Sequence, residues 1–311
     1  MSGGPIKTLA LVAVLLAGCF PSFEDRPWLV DDARIVGVRG VPAEVRPSDM
    51  VGFEALVASP TGTLVLPVEY SFCLAPRSIE ERTGVTASCA NGSDLQLVSN
   101  PGALIADACS RFGPNPPPTS GDDPPLRPAD PDPSGGYHVP VRALVSDPAT
   151  GDEVVSFGFQ RVRCDLAGAT RAIFEEYQAR YTDNVHPSIA GAIVVDAGGA
   201  EQDASVGASV SPGVTVTLRV TPAGDASEPY IVYEAENGLL RDHVESLSLS
   251  WSVSSGELNR ARQTLTEDQV DGGVFVTEWT APSTPGTATV WAVMRDARGG
   301  NAWLSFTINV E

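Results

Sequence analysis

Four of the five cysteines have the number and the spacing for disulfide chemistry. They are Cys73, Cys89, Cys109 and Cys164, and all four fall in the first half of the chain. An even number of thiols is typical of a disulfide framework in an exported protein, and no CxxC or Cys/His spacing indicates zinc. Three connectivities are possible. We favour Cys89–Cys109, which closes a local loop, with Cys73–Cys164 joining two strands.

The remaining side chains that could support catalysis do not form a motif. The histidines, His138, His186 and His243, are far apart in sequence, and neither GxSxG nor HExxH occurs. Lys7 is the only lysine, and it lies in a segment that we expect to be removed, so the mature chain has no amine for Schiff-base chemistry. The sequence therefore predicts a protein that is not an enzyme.

One acidic segment partly matches a calcium loop. Asp130, Asp132 and Ser134 lie in the pattern D-x-D-x-S-G, but Val141 occupies the twelfth position, where a bidentate glutamate is expected. We interpret this segment as a solvated acidic loop and keep calcium as the alternative.

Two tryptophans near the C-terminus are candidates for stacking on a sugar ring. Trp291 and Trp303 are out of phase with the core-facing residues of their strands. Either they bind a ligand on the outer face, or they pack under a connector helix or against the first half of the chain. We favour packing.

The fifth cysteine, Cys19, has a different setting. Lys7 precedes an apolar run, Leu9 to Ala17, which is shorter than the ~20 residues that span a bilayer and is typical of a signal peptide. The run ends in Leu16-Ala17-Gly18-Cys19, which resembles the lipobox of bacterial lipoproteins. The resemblance implies cleavage before Cys19, a diacylglyceryl group on its thiol and an acyl group on its new amine. An ordinary secretory signal is the alternative.

The lipobox resemblance also implies a location. Phe20, rather than Asp, follows the cysteine, which favours the outer membrane of the cell envelope over the inner one. Several acyl chains hold a protein almost permanently, since each buried methylene contributes about 0.8 kcal/mol. Beyond the membrane itself, envelope proteins or surface glycans are the expected partners. The formal net charge of −19 argues against binding nucleic acid.

Alternating apolar and polar residues predict strands along most of the chain. In the first half, residues 51–57, 68–73, 137–145 and 155–159 alternate, and the last two segments form a hairpin. Residues 76–136 are predicted to be irregular, with one short helix possible over 95–110. In the second half, residues 214–220, 247–253 and 304–310 alternate. One apolar face in each strand is typical of antiparallel sandwiches.

The sequence contains a repeat that relates the two halves and a helical segment that separates them. The segment Pro47-x3-Val51-x-Phe53 resembles Pro212-x3-Val216-x-Leu218, which suggests that both halves begin the same kind of sandwich. Residues 167–181 have the spacing of a helix, with Ile173, Phe174 and Tyr177 on one face. We therefore predict five segments: a signal peptide (1–18), a lipidated cysteine and tether (19–32), a disulfide-linked sandwich (33–166), a connector helix and linker (167–186) and a second sandwich (187–311).

The C-terminal segment resembles bacterial Ig-like and PKD-like domains. The resemblance is carried by Trp251, by Trp279-Thr280-Ala281-Pro282 with Pro285-Gly286-Thr287, and by the Asp296–Gly300 turn before the last strand. It covers about residues 205–311 and implies an Ig-like sandwich there. With the alternation and the repeat in the first half, we predict a mainly β fold of two antiparallel Ig-like sandwiches with one connector helix. The resemblance implies no activity. Together these features predict a non-enzymatic bacterial envelope lipoprotein that acts as an adhesion, scaffold or protein-binding module. A carbohydrate- or calcium-binding surface module is the alternative.

Overall fold

The computed structural model describes residues 26–76, 84–115 and 136–311. Cys19 and the acidic segment with Asp130, Asp132 and Ser134 lie outside the described residues. The described chain is mainly β, with several antiparallel sheets and short helices, as the alternating pattern predicts.

The elements of the first half occupy the described residues 34–162. The strands and helices are β1 (Arg34–Val41), β2 (Glu44–Val45), β3 (Met50–Ser59), β4 (Gly62–Leu64), β5 (Glu69–Cys73), α1 (Ala87–Ala90), β6 (Leu95–Val98), β7 (Gly102–Ala103), α2 (Ala108–Phe112), β8 (Tyr137–Ser146) and β9 (Glu153–Val162).

The remaining elements begin with a helix and continue as strands. They are α3 (Arg171–Arg180), β10 (Ile189–Val195), β11 (Glu201–Asp203), a 3-10 turn (Ala204–Val206), β12 (Ala208–Val210), β13 (Thr215–Pro222), β14 (Pro229–Glu234), β15 (Leu239–Val244), β16 (Leu247–Val253), β17 (Glu257–Leu258), β18 (Arg262–Leu265), β19 (Phe275–Thr280), β20 (Gly286–Asp296) and β21 (Asn301–Val310).

One of the two sheets has the same strand order in both halves. The first half has a sheet β1-β3-β4, with β7 also on β3, and a sheet β2-β9-β8-β5-β6; the second has β11-β10-β13-β19-β17 and β12-β21-β20-β16-β18. In each half a short strand, β2 or β12, runs parallel to the last strand. Pairs of antiparallel sheets packed face to face are typical of Ig-like β-sandwiches. The repeated segments after Pro47 and Pro212 fall on the equivalent strands β3 and β13.

Each half encloses its own apolar core between its two sheets. In the first half the core includes Phe53, Phe72 and Val141, and in the second half it includes Leu218, Trp251 and Trp279. Trp279 is fully buried, and its indole N–H donates to the carbonyl of Ser255 at 3.0 Å. The period-two alternation therefore identifies the inward faces correctly.

The four cysteines form two disulfides, but the favoured pairing is wrong. The structure pairs Cys73 with Cys89, with Cα atoms 5.5 Å apart, and Cys109 with Cys164, with Cα atoms 5.6 Å apart. Cys73 ends β5, and α1 brings Cys89 back against that strand end. Cys109 lies in α2, which packs beside residues that follow β9. The predicted pairing was wrong because α1 lies at the end of β5 and α2 lies beside the residues after β9, which the local sequence pattern does not indicate.

A helix over residues 95–110 is also a wrong prediction. Residues 95–98 pair with β5, from Leu95 opposite Cys73 to Val98 opposite Tyr70. Pro101 lacks an N–H and disfavours a helical conformation at Asn100, so the helical spacing cannot continue through it. The segment's helix, α2, begins only at Ala108.

The residues that precede β1 do not behave as a free tether. Trp28 and Val30 form backbone hydrogen bonds with Val253 of β16, at 3.0 and 2.8 Å, and Val30 is fully buried. Arg26 forms an exposed ion pair with Glu257 at 3.1 Å. Residues 26–32, which we assigned to the tether, are therefore docked on the second half of the chain.

The observed pairing predicts the products of proteolysis without reduction. Mass spectrometry is expected to find peptides that link Cys73 to Cys89 and Cys109 to Cys164. The sequence separations of 16 and 55 residues imply losses of about 3 and 4 kcal/mol in the free energy of unfolding when each pair is changed to serine. Urea denaturation measures both losses. A linked Cys89–Cys109 peptide would contradict the pairing.

Candidate functional site

The main feature outside the two cores is the contact between the halves. The outer face of the β1–β3 sheet packs on the outer face of β20 and β21, and a separate apolar cluster fills the contact. Its members are Val30, Leu56, Ala58, Trp291 and Val293, with Val36 and Trp303 at its margin. Consequently β20 is buried on both faces, since Val290, Ala292 and Met294 point into its own core.

This contact buries one of the two candidate tryptophans and partly buries the other. Trp291 is 0% exposed, and its indole N–H donates to Thr63 Oγ1 at 2.8 Å. Trp303 is partly buried under Arg39, whose guanidinium lies 4.2 Å from the ring centroid. A Cβ on Gly37 would lie only 3.1 Å from the Trp303 ring, so this glycine permits the close approach of β1. Trp291 cannot stack on a sugar here, because the first half covers it.

A buried ion pair lies beside the apolar contact. Arg161 on β9 donates from Nε to Glu44 Oε2 at 3.0 Å, and both side chains are 1% exposed. Tyr181 donates to the other oxygen of Glu44, and the backbone N–H of Asn184 donates to Glu44 Oε2 at 2.9 Å. Gly136, with φ 75°, leaves room for the guanidinium, since a Cβ there would lie 2.2 Å from Arg161 Cζ. The pair is therefore tied to the linker after α3.

Arg298 extends this network into the second half. Its buried guanidinium donates to Glu245 at 2.5 Å, to Glu228 at 2.9 Å and to the carbonyl of Thr182 at 2.9 Å. The carbonyl of Arg298 in turn accepts from Arg161 at 3.3 Å. The turn between β20 and β21 thus connects carboxylates of the second half to the ion pair of the first.

Two of the three histidines also join the halves. His186 in the linker donates from Nε2 to the Gly40 carbonyl at 2.8 Å and accepts at Nδ1 from the Asn301 N–H at 3.0 Å. His138 donates from Nε2 to the Arg298 carbonyl at 3.2 Å. A carbonyl can only accept and an amide N–H can only donate, so His186 must be neutral with its proton on Nε2.

Burial shifts the pKa values of several groups at this contact. It lowers the pKa of His186, with Arg39 acting in the same direction and Glu54 against it. Burial and nearby Arg161 lower the pKa of His138 to about 4. Burial and the neighbouring Asp296 raise the pKa of Glu245 to about 7, although Arg298 acts in the opposite direction. Burial also raises the pKa of Tyr181 to about 12.

Helix α3 lies next to the same network. Thr170 caps its N-terminus by accepting from the Ile173 N–H at 3.4 Å, and Tyr177 is its buried residue. Tyr177 packs against Tyr181, with ring centroids 5.1 Å apart. Ile173 and Phe174 are half-buried. The helix therefore lies within the predicted connector and positions the linker residues that bind Glu44.

Other expectations concern metals and membranes. Within residues 26–76, 84–115 and 136–311, no group of three or more His, Cys, Asp or Glu side chains is placed to hold a metal ion. No helix in that part of the chain is long and apolar enough to cross a bilayer. His243 is partly exposed and lies 3.3 Å from Glu267. It takes no part in the contact between the halves.

Comparisons with known proteins give no family. No family model matches the chain, and no curated protein matches it. Among solved structures, dimeric latent PorU from Porphyromonas gingivalis matches with 12% identity and a TM-score of 0.22, over 91% of this chain and 24% of that one. The D00–D0 domains of intimin match with 10% identity and a TM-score of 0.22, over 90% and 98%. The BSP domain of a biofilm-associated protein matches with 7% identity and a TM-score of 0.22, over 91% and 59%.

These matches are too distant to support a functional conclusion. The chain spans about a quarter of the PorU chain, and all three TM-scores are far below 0.5. The Ig-like description of this protein therefore depends on its own strand order.

The Glu44–Arg161 pair predicts a large cost for losing one partner. Glu44→Gln removes a charge and leaves a buried guanidinium without its counter-ion, so we expect a loss of about 3–5 kcal/mol in the free energy of unfolding. The double variant Glu44→Leu and Arg161→Met is expected to lose less unfolding free energy than Glu44→Leu alone or Arg161→Met alone, because no buried charge is left without a partner. Chemical denaturation at neutral pH measures these values.

The exposed pair Arg171–Glu175 supplies the control, since its side chains are 92% and 62% exposed. Glu175→Gln is expected to change stability by no more than about 0.5 kcal/mol. Equal losses for Glu44→Gln and Glu175→Gln would show that the buried pair has no special role.

His186 predicts a pH-dependent contribution to stability. Because its folded-state pKa is below the unfolded value of about 6.5, its contribution is complete above that pH and declines as the pH falls, by up to about 1.4 kcal/mol per unit. The contribution of Glu245 to stability has the opposite pH dependence: it declines as the pH rises from the unfolded-state pKa of 4.5 to the folded-state pKa of about 7. We therefore compare wild type with His186→Gln, since the Glu245 contribution is common to both.

The stability difference between wild type and His186→Gln is expected to be largest at pH 7.5 and to narrow at pH 5. Denaturation curves at both pH values measure it. A difference that is the same at the two pH values would mean that protonation of His186 does not affect the contact.

Proposed function

We propose that this protein is an envelope lipoprotein, anchored through a lipid on Cys19, in which two Ig-like sandwiches form one non-enzymatic adhesion or scaffold module. The observation that supports this most directly is the docking of residues 26–32 along β16. The chain passes from the lipobox to the folded body in a few residues, so the body would be held close to its anchor.

The length of that connection can be bounded. Seven residue steps separate Cys19 from Arg26, and an extended chain covers at most about 3.5 Å per residue. The folded body therefore begins within about 25 Å of the lipidated residue. This is shorter than the tether that the sequence suggested, because Trp28 and Val30 are part of the fold.

The disulfides and the charge are consistent with an extracytoplasmic location. Disulfides persist in the periplasm and at cell surfaces, where thiols are not kept reduced. The net charge of −19 disfavours adsorption on anionic lipid, so the body would stand off the membrane that anchors it. The position of Phe20 favours the outer membrane.

The way in which the halves are joined supports a scaffold role. Two domains on a flexible linker would move independently, but here a buried apolar cluster connects the halves, and Arg161 and His138 of the first half hydrogen-bond to the Arg298 carbonyl of the second. We infer that two Ig-like sandwiches are presented as a single rigid body, with envelope proteins or surface glycans as the partners.

The anchor is tested by labelling bacteria that express the protein with radioactive palmitate. The wild-type chain is expected to take up the label and to fractionate with membranes, because Cys19 supplies the only thiol in the lipobox. Cys19→Ser is expected to lose the label and to leave the membrane fraction.

A matched control is the double variant Cys109→Ser and Cys164→Ser, which also removes thiols but leaves the lipobox unchanged. It is expected to keep the label. Label retained by Cys19→Ser, or an unlabelled wild-type chain that fractionates as soluble, would overturn the anchoring proposal.

A further inference from the structure

A cleft of about 510 Å³ opens between the halves, next to the buried network. Its walls include Val36 and Val38 of β1, Phe157 and Phe159 of β9, and Arg295 at the end of β20. Phe159 is 40% exposed. The cleft is within the size range of small-molecule sites, which are typically about 300–1,000 Å³.

Arg295 belongs to the minority of arginines in the described chain that form no ion pair. Most of the others form ion pairs, but the Arg295 guanidinium makes no hydrogen bond and no ion pair with any described residue. Its side chain is half-buried, and the residue lines the cleft. The charged group that faces it is Arg262 of β18, which is also unpaired within the described part of the chain.

The electrostatics of the cleft favour an anion. Burial and the neighbouring Arg262 both lower the pKa of Arg295, which means that its charge is poorly compensated. Half-buried charges are normally paired, and a guanidinium matches a carboxylate with two parallel hydrogen bonds. The Asp296 carboxylate also lines the cleft but forms no ion pair with Arg295: one of its oxygens accepts from the N–H groups of Arg298 and Gly300, and burial raises its pKa.

The other walls limit the ligand to a single charge. His138 is neutral at physiological pH, since its pKa is about 4, and its Nε2–H is used by the Arg298 carbonyl. Its ring lies edge-on to Phe159, with centroids 6.4 Å apart. The remaining wall combines the polar residues Ser156, Asp296 and Asn301 with aromatic and aliphatic side chains. A ligand would thus place one anionic group at Arg295 and an apolar part against Phe157 and Phe159.

We propose that this cleft binds a carboxylate that carries an apolar group, with the carboxylate on Arg295 and the apolar group against Phe159. Such a carboxylate could be the C-terminus of a peptide or a free acyl chain, and both offer the same chemistry. The proposal does not depend on the lipid anchor, so it can fail or succeed separately.

Isothermal titration of the full chain tests the proposal with two probes. N-acetylphenylalanine represents a peptide C-terminus and decanoate an acyl chain, and the primary amide of each is its neutral control. At least one acid is expected to bind, with each amide about ten- to a hundredfold weaker, because the amide cannot compensate the guanidinium charge. The tighter acid identifies the source of the carboxylate.

Variants locate the binding in the cleft. Arg295→Gln is expected to weaken binding of the acid about ten- to a hundredfold without lowering the melting temperature, since it removes an unpaired charge. Phe159→Ser is expected to weaken it about tenfold. Arg260→Gln, at an exposed arginine outside the cleft, removes the same charge and is expected to bind as wild type.

Three results would overturn the proposal. They are no binding of either acid up to about 5 mM, equal binding of acid and amide, or unchanged binding by Arg295→Gln. Loss of binding by Arg260→Gln to the same extent as by Arg295→Gln would also overturn it, because the effect would then come from net charge alone.

Discussion

The contact between the halves depends on Arg298, whose charge is withdrawn from water. Burying a guanidinium costs several kcal/mol unless other groups compensate it closely. Glu245, Glu228 and the Thr182 carbonyl compensate it, and its own carbonyl accepts hydrogen bonds from Arg161 and His138. These partners come from the second half, the linker and the first half. Each buried charge has its counter-ion within its own half, and the hydrogen bonds to the Arg298 carbonyl join the two ion pairs across the contact.

Features that depend on the alternation of neighbouring side chains could be predicted from the sequence. Strands, their inward faces and the hairpin β8–β9 were predictable, because residues two apart share a face of a sheet. Trp291 was recognised as out of phase with its core-facing neighbours. Alternation alone could not show what its face contacts. That face meets the β1–β3 sheet, more than two hundred residues earlier, and contacts at such distances leave no local pattern.

The network at the contact was not predictable for the same reason. Glu44 and Arg161 each look like an ordinary surface charge in the sequence, and only the fold brings them within 3.0 Å of each other. The predicted disulfide pairing was wrong for the same reason, since the true pairing depends on where α1 and α2 lie over the strands. His186 offered one signal, because it precedes Pro187 in a linker between two predicted domains. In the structure this linker residue hydrogen-bonds to Gly40 of the first half and to Asn301 of the second, so it contacts both halves.

The N-terminal segment and the cleft lie at opposite ends of one sheet. Leu29 bridges to Val253 at the end of β16, where β16 pairs with Val290, whereas the cleft lies where Leu247 pairs with Asp296. Six residues along a strand cover about 20 Å. The described chain therefore begins beside the Val253 end of this sheet, and the cleft lies beside its Leu247 end. The N-terminal contact and the cleft use different residues, so a change at Trp28 or Val30 and a change at Arg295 can be tested separately.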